Sequence, residues 1–423
     1  MSHSPTRQTS RDMSWTRSVS KDGWRALRAA GIGWTFEVYD VFILSLTIPA
    51  FLHDFDMTKH EAGLLATGAA IAQILGGILG GRLADRFGRV NVLVGSIFVY
   101  AVFTGITAVS PALWLIVVTR ILAGFGMGAQ WTSGAALVAE TWPPEHRGKG
   151  GALMQAGLPV GSLLAVGISY VVTAFTGTLE DGGWRWLYAI GALPILLAIY
   201  VKRTTSEPHS PKEEAFETRQ AKAGSATKRL VSGGNARPLL IAFAFVFFVQ
   251  YIYWSVFTFA PTFLDEVKGA TEVGGLGFVL SQQFGSLVGF VVFAMIVDRW
   301  GRKLTFCLYL IIGAVSLAVF VTVASGFTLY VMSFLSGWGI TGLFAGLGPW
   351  SAEMMHRSTV RAYAMGVIYN GGRIGGALAP YVVGSLATSN RGFQIGMGTA
   401  VLAFVLAFVV MLASPETKGR MLR

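Results

Sequence analysis

Four charged side chains stand inside stretches that are otherwise apolar: Glu37, Asp40, Arg120 and Arg373. A charge at the centre of a membrane-crossing helix costs about 3 kcal/mol or more unless it is paired or hydrated, so such residues default to function. Glu37 and Asp40 are three residues apart and share one face of a helix. Two carboxylates this close in a low-dielectric setting do not both hold their charge easily. The pair therefore reads as a proton carrier, with Asp40 as the deeper acid. The plainer reading is a structural acid fixed to an arginine. Arg373 has Asn370 one turn before it. A guanidinium is a planar fork that matches a carboxylate, and Asn adds neutral donors and acceptors. Arg373 and Asn370 read as a recognition site for an organic carboxylate, the alternative being a permanent ion pair of Arg373 with Glu37 or Asp40. For Arg120 the plain reading is packing or snorkelling.

Polar and aromatic residues on the central spans are candidates for a cavity lining: Gln155, Gln250, Tyr251, Tyr253, Trp254, Gln282, Gln283 and Tyr369. Tyr251 and Trp254 share a face and suit stacking on a planar or ring substrate. The competing readings are interfacial belts for the aromatics and helix-to-helix hydrogen bonds for the glutamines. Enzymatic constellations are missing. There is no phosphate-cradling loop with its lysine, no H-E-x-x-H and a single cysteine, Cys307. The chain is thus not expected to be an enzyme, nor to hold a metal or a cofactor.

These residues need elements that hold them in lipid. The chain has 423 residues, 53% apolar and only 13% charged, about half the charged share of a soluble protein. Spans of about 20 residues are expected at 29–52, 61–83, 91–109, 113–139, 149–174, 184–201, 238–263, 271–297, 304–324, 326–352, 362–386 and 392–413. Pro159 and Pro261 are expected to kink the fifth and seventh. The organisation expected is a cytosolic tail (1–28), a six-helix bundle (29–201), a cytosolic linker (202–237), a second six-helix bundle (238–413) and a cytosolic tail (414–423). Lysines and arginines test it. With the N-terminus inside, 27 of the 33 fall on inner segments, and only Lys59, Arg185, Lys268 and Arg391 fall outside. That asymmetry obeys the positive-inside rule in every alternate loop. It accounts for the net charge of +11 without nucleic acid.

The two halves also repeat. D-R-aromatic-G-R occurs as Asp85, Arg86, Gly88, Arg89 and again as Asp298, Arg299, Gly301, Arg302, both sets lying 213 residues apart (85 to 298). Glu140 and Glu353 share that offset, and a short basic loop follows each, with Arg147 in one half and Arg361 in the other. Matching elements at one offset indicate duplicated halves. The glycine permits a tight turn, and the arginines are placed to meet acidic partners on a neighbouring helix. Such a cluster reads as a gate that latches one side; as plain anchors the arginines would serve, but the acids would add nothing.

The D-R-x-G-R loops resemble the signature of the major facilitator superfamily. So do R-x-x-x-G-x-G (Arg120, Gly124, Gly126), P-x-x-R-G (Pro144, Arg147, Gly148) and PETKGR (Pro415 to Arg420). GWTFEVYDVF and YNGGRIGG resemble the branch of bacterial sialate, lactate and aromatic-acid proton symporters, with Glu37 standing where many relatives have Asp. The resemblance implies an all-α membrane protein of twelve transmembrane helices in two pseudo-symmetric six-helix bundles. It implies Arg120 in proton transfer or in holding the helix-one acid. The function expected is proton-coupled import of a small organic carboxylate by alternating access, by a monomer in the bacterial inner membrane. A drug exporter, a sugar or polyol porter and a membrane sensor are the alternatives; the acid pair, the poor G-L-P-V-G stretch and the short tails speak against them.

Overall fold

In a computed structural model, residues 18–143, 147–205, 236–270, 272–323, 325–354 and 358–418 are described. They form fourteen helices and no strand. In the first half these are α1 (Lys21–Asp54), α2 (Lys59–Phe87), α3 (Arg89–Ala108), α4 (Leu113–Thr141), α5 (Arg147–Gln155), α6 (Gly157–Thr176), α7 (Trp184–Gly191) and α8 (Pro194–Thr204). In the second they are α9 (Ala236–Glu266), α10 (Glu272–Trp300), α11 (Arg302–Thr322), α12 (Gly326–Met354), α13 (Ser358–Leu386) and α14 (Asn390–Ala413). The expected linker lies almost wholly outside the described residues.

Among the described residues, eleven stretches are long and apolar enough to cross a membrane, α5–α6 and α7–α8 each counting as one span. The twelfth element, α13, is 29 residues long and packs between α9 and α2. The fifth span breaks at Ala156 because Pro159 has no N–H for the carbonyl of Gln155. The sixth span, expected at 184–201, is present as Trp184–Thr204 but consists of two helices, interrupted just before Pro194 for the same reason. In contrast, α9 runs unbroken through Pro261. Gly88 and Gly301 make the turns into α3 and α11 at φ of 96° and 93°, a conformation that disfavours any side chain.

The packing repeats as the motifs do. α2 lies on α4 as α10 lies on α12, and α1 lies on α6 as α9 lies on α13. Gly76 and Gly289, again 213 residues apart (76 to 289), are positions where a Cβ would strike the facing backbone, at Phe125 and Trp338. Gly124 and Gly337 play the reciprocal part against Ala69 and Gln282. With lipid tails as apolar as leucine, close backbone approach is what holds such helices together.

The halves meet along α2–α13, α1–α9 and α6–α10. These contacts gather at the end opposite the D-R-x-G-R turns. Lys59 Nζ lies 2.5 Å from Glu266. Thr67 Oγ1 donates to the Ala377 carbonyl at 2.8 Å, and Ser45 Oγ donates to the carbonyls of Phe257 and, at 2.8 Å, Thr258. Gly63 faces the Pro380 backbone and Gly384 faces that of Lys59. The two halves are therefore closed against each other at this end.

Candidate functional site

Midway along the halves a cavity opens between them, with about 690 Å³ of space not filled by atoms, part of it continuous with solvent. Its lining includes Trp34, Glu37, Gln73, Gln155, Gln250, Tyr253, Trp254, Tyr369 and Arg373. A second hollow beside it reaches Asp40 and Arg120 and shares Gln73, Tyr253 and Trp254.

The two helix-one acids have different surroundings. Asp40 is buried and spent: Arg120 Nη1 donates to its Oδ2 at 2.7 Å and Thr104 Oγ1 to its Oδ1 at 2.6 Å. Arg120 is itself tied to Thr104 at 2.9 Å and Thr107 at 3.3 Å, and lies 4.8 Å over the Tyr188 ring. This is a fully satisfied pair inside the first half. Glu37 is completely buried as well, but only one oxygen is engaged, accepting from Gln73 Nε2 at 2.8 Å. Its Oε2 has no hydrogen-bond partner among the described residues.

Across the cavity, in the second half, Arg373 is 8% exposed. No ion pair links it to either acid among the described residues, and its Nη1 has no partner. Its guanidinium lies 5.5 Å from the ring centres of both Trp131 and Tyr369, which stack on each other at 5.2 Å and 12° across the interface between the halves. Trp131 Nε1 donates to Gln155 at 3.2 Å, which holds that indole in place. Glycines make the arrangement possible. Gly372 and Gly375 of α13 press on Val246 and the backbone of Phe247 in α9, and Gly376 presses on the Trp254 ring.

Not every expected lining residue faces this space. Tyr251 is turned away: its hydroxyl bonds Thr399 of α14 at 2.9 Å, so it shares no cavity with Trp254. Gln282 donates to Ser336 at 3.2 Å inside the second half, and Gln283 is buried beside it. Neither lines the cavity, because their stretch of α10 packs on α12. Gln73 and Trp34 do the lining instead, and Trp131 stacks against the lining residue Tyr369; none of the three was expected as a lining residue. The signals available were a lone Gln in the second span and the place of Trp34 in the GWTFEVYDVF stretch. The side chain of Asn370 lies outside the described residues.

At the other end, Arg89 Nε donates to Glu140 at 3.1 Å and its Nη1 to the Ala84 carbonyl at 2.7 Å. Arg302 binds Glu353 through Nε at 3.0 Å and Nη2 at 2.9 Å. Each of these arginines thus meets the glutamate of its own half. Arg86 and Arg299 are exposed, and the side chains of Asp85, Asp298, Arg147 and Arg361 lie outside the described residues. Beyond α14 the chain folds back on the second turn. Glu416 accepts the backbone N–H groups of Arg302 and Lys303, both at 3.0 Å, and Thr417 Oγ1 donates to Glu353 at 2.6 Å.

Comparison with known proteins agrees with this architecture. The family model described as Major Facilitator Superfamily matches residues 31–282 and 270–421. A Cupriavidus pinatubonensis protein named "Probable 4-methylmuconolactone transporter" is 30% identical over 96% of this chain and 93% of its own. A niacin transporter of Acinetobacter baylyi is 27% identical, covering 96% of both chains. Among solved structures, a D-xylose-proton symporter superposes with a TM-score of 0.76 at 22% identity, over 94% of this chain and 99% of that one.

Proposed function

The chain belongs to the Major Facilitator Superfamily, as a multi-pass membrane transporter and not an enzyme, and from that premise we propose that it imports a small organic acid together with protons. The observation that carries the reading is Arg373: a buried guanidinium with an open donor, set against two stacked rings in a cavity between the halves. Such a fork suits a carboxylate, and the rings suit a flat, unsaturated body. Transporters of niacin and of a muconolactone among the relatives favour the same class.

The coupling step falls to Asp40 and Arg120. A proton on Asp40 removes one member of a buried ion pair, and Arg120 must then find other partners. Thr104, Thr107 and the Tyr188 ring stand ready to keep it. Proton and anion together add no net charge to the site, so the loaded cavity is enclosed without an uncompensated charge while the halves rock. In this reading the basic turns face the cytosol of the bacterial inner membrane, and Arg89–Glu140 and Arg302–Glu353 stiffen each half at that face. Asp85, Asp298, Arg147 and Arg361 remain proposed gate members. The segments 29–201 and 238–413 are the moving bodies.

Proteoliposomes loaded at alkaline pH and diluted into acid medium test this. We expect uphill accumulation of a ring carboxylate that collapses on addition of an uncoupler. Asp40→Asn should abolish accumulation. Uphill uptake that survives both the uncoupler and Asp40→Asn would exclude proton coupling through this pair.

A further inference from the structure

The second acid of helix one is not needed to explain coupling through Asp40, yet it is the one that lines the cavity shared with Arg373. Glu37 lines the cavity, is wholly buried, and keeps one oxygen fixed by Gln73 while the other has no partner. Arg373 Nη1, in the same cavity and from the other half, is an open donor. A buried acceptor without a donor is costly, and such a group is a vacancy that a ligand can complete. Water could serve in the empty protein; a bound ligand that displaces it must replace the hydrogen bond or lose affinity.

We propose that Glu37 reads the substrate: its free carboxylate oxygen accepts a hydrogen bond from a hydroxyl or N–H group on a ring acid whose carboxylate rests on Arg373. The two helix-one acids then divide the work, Asp40 handling the proton and Glu37 setting specificity. The substrate class narrows to flat ring acids that carry a hydrogen-bond donor away from the carboxylate. Tyr369, backed by the Trp131 ring stacked on it, supplies the stacking face, and Gln73 positions Glu37 by holding its other oxygen. The cavity spans both halves, so a ligand with these two ends ties them together, which a simple short acid does not do.

This rests on the carboxylate reading of Arg373, and the test separates the two. Purified protein is titrated with benzoate, with the three hydroxybenzoate isomers and with the three methoxybenzoates. One hydroxy isomer should bind on the order of 10²-fold tighter than benzoate and than its own methoxy ether, because a polar vacancy rejects analogues that leave it empty. Glu37→Leu should reduce that ratio to within about threefold. Glu37→Gln should keep part of it, since the amide oxygen still accepts. Equal binding of benzoate and every hydroxy isomer overturns the inference while leaving the Arg373 reading intact. So does a methoxy ether that matches its hydroxy parent, which would make Glu37 a donor. A preference that persists undiminished in Glu37→Leu also overturns it. Monodisperse protein that binds no ring carboxylate at all defeats the underlying reading and this one with it. Should Glu37→Leu fail to fold, the wild-type ligand series still decides.

Discussion

At the scale of single residues, the informative contrast is between satisfied and unsatisfied charge. Asp40 and Arg120 complete each other, so removing one partner leaves an uncompensated buried charge, at a cost of about 3–5 kcal/mol. Arg120→Gln should therefore destabilise the purified protein by roughly that amount, and adding Asp40→Asn should recover most of it. Thermal unfolding of the two singles and the double checks this, and additive losses would deny the pairing. Arg373 behaves differently. Among the described residues it makes no ion pair, although its charge acts on Glu37, so Arg373→Ala should weaken binding of a ring carboxylate by roughly 10²-fold or more with a smaller loss of melting temperature in the ligand-free protein than Arg120→Gln. Unchanged affinity in a titration would remove it from the site. That these four charges matter was legible from their depth in apolar spans. Which acid is paired was not: Glu37 and Asp40 sit on one helical face, and only their neighbours, Gln73 on α2 and Thr104 on α3, tell them apart.

At the scale of elements, backbone contact decides. Gly76→Leu, or its counterpart Gly289→Leu, would drive a side chain into the partner helix where no room exists. Either should abolish a monodisperse peak in detergent, whereas Gly95→Leu, where an added Cβ meets nothing within 4 Å, should not. The tail beyond α14 is a second element-level device. Burial pushes the Glu416 carboxyl up, but backbone N–H groups of Lys418, Arg302, Lys303 and Thr417 together outweigh it and hold the group below its ordinary 4.5. A lowered folded value means that docking contributes stability above pH 4.5 and loses it as the pH falls through the lowered value. A fluorophore on the tail should therefore leave the α11 turn only in acid below that range. In Glu416→Gln, docking should be weaker at neutral pH and its remaining strength indifferent to this titration.

At the scale of the whole molecule, the halves are joined at one end by Lys59 and Glu266. The pair is partly exposed and worth about 1 kcal/mol at most. A shift of that size changes the population of open states about fivefold. Lys59→Glu places like charges across the interface. It should speed labelling of a cysteine introduced at Ala270, beside the hollow at this end, by a membrane-impermeant maleimide. Adding Glu266→Lys should restore the slow rate. No change in either would mean that the glycine contacts at Gly63 and Gly384, with the Thr67 and Ser45 hydrogen bonds, hold this end without the ion pair.

The sequence by itself determined the membrane class, the number of spans, the duplication and the charges that pay for their place in lipid. Composition, charge alternation and a repeated turn are local or additive properties, so they survive without coordinates. Tertiary structure decided what those charges meet. Tyr251, Gln282 and Gln283 were as good cavity candidates as Trp254 or Gln250 until α14 and α12 claimed them. The break before Pro194 and the stacking of Trp131 on Tyr369 depend likewise on where chain-distant backbones come to rest. Every helix in a transporter has several neighbours, and its residue types alone do not say which neighbour each face will find.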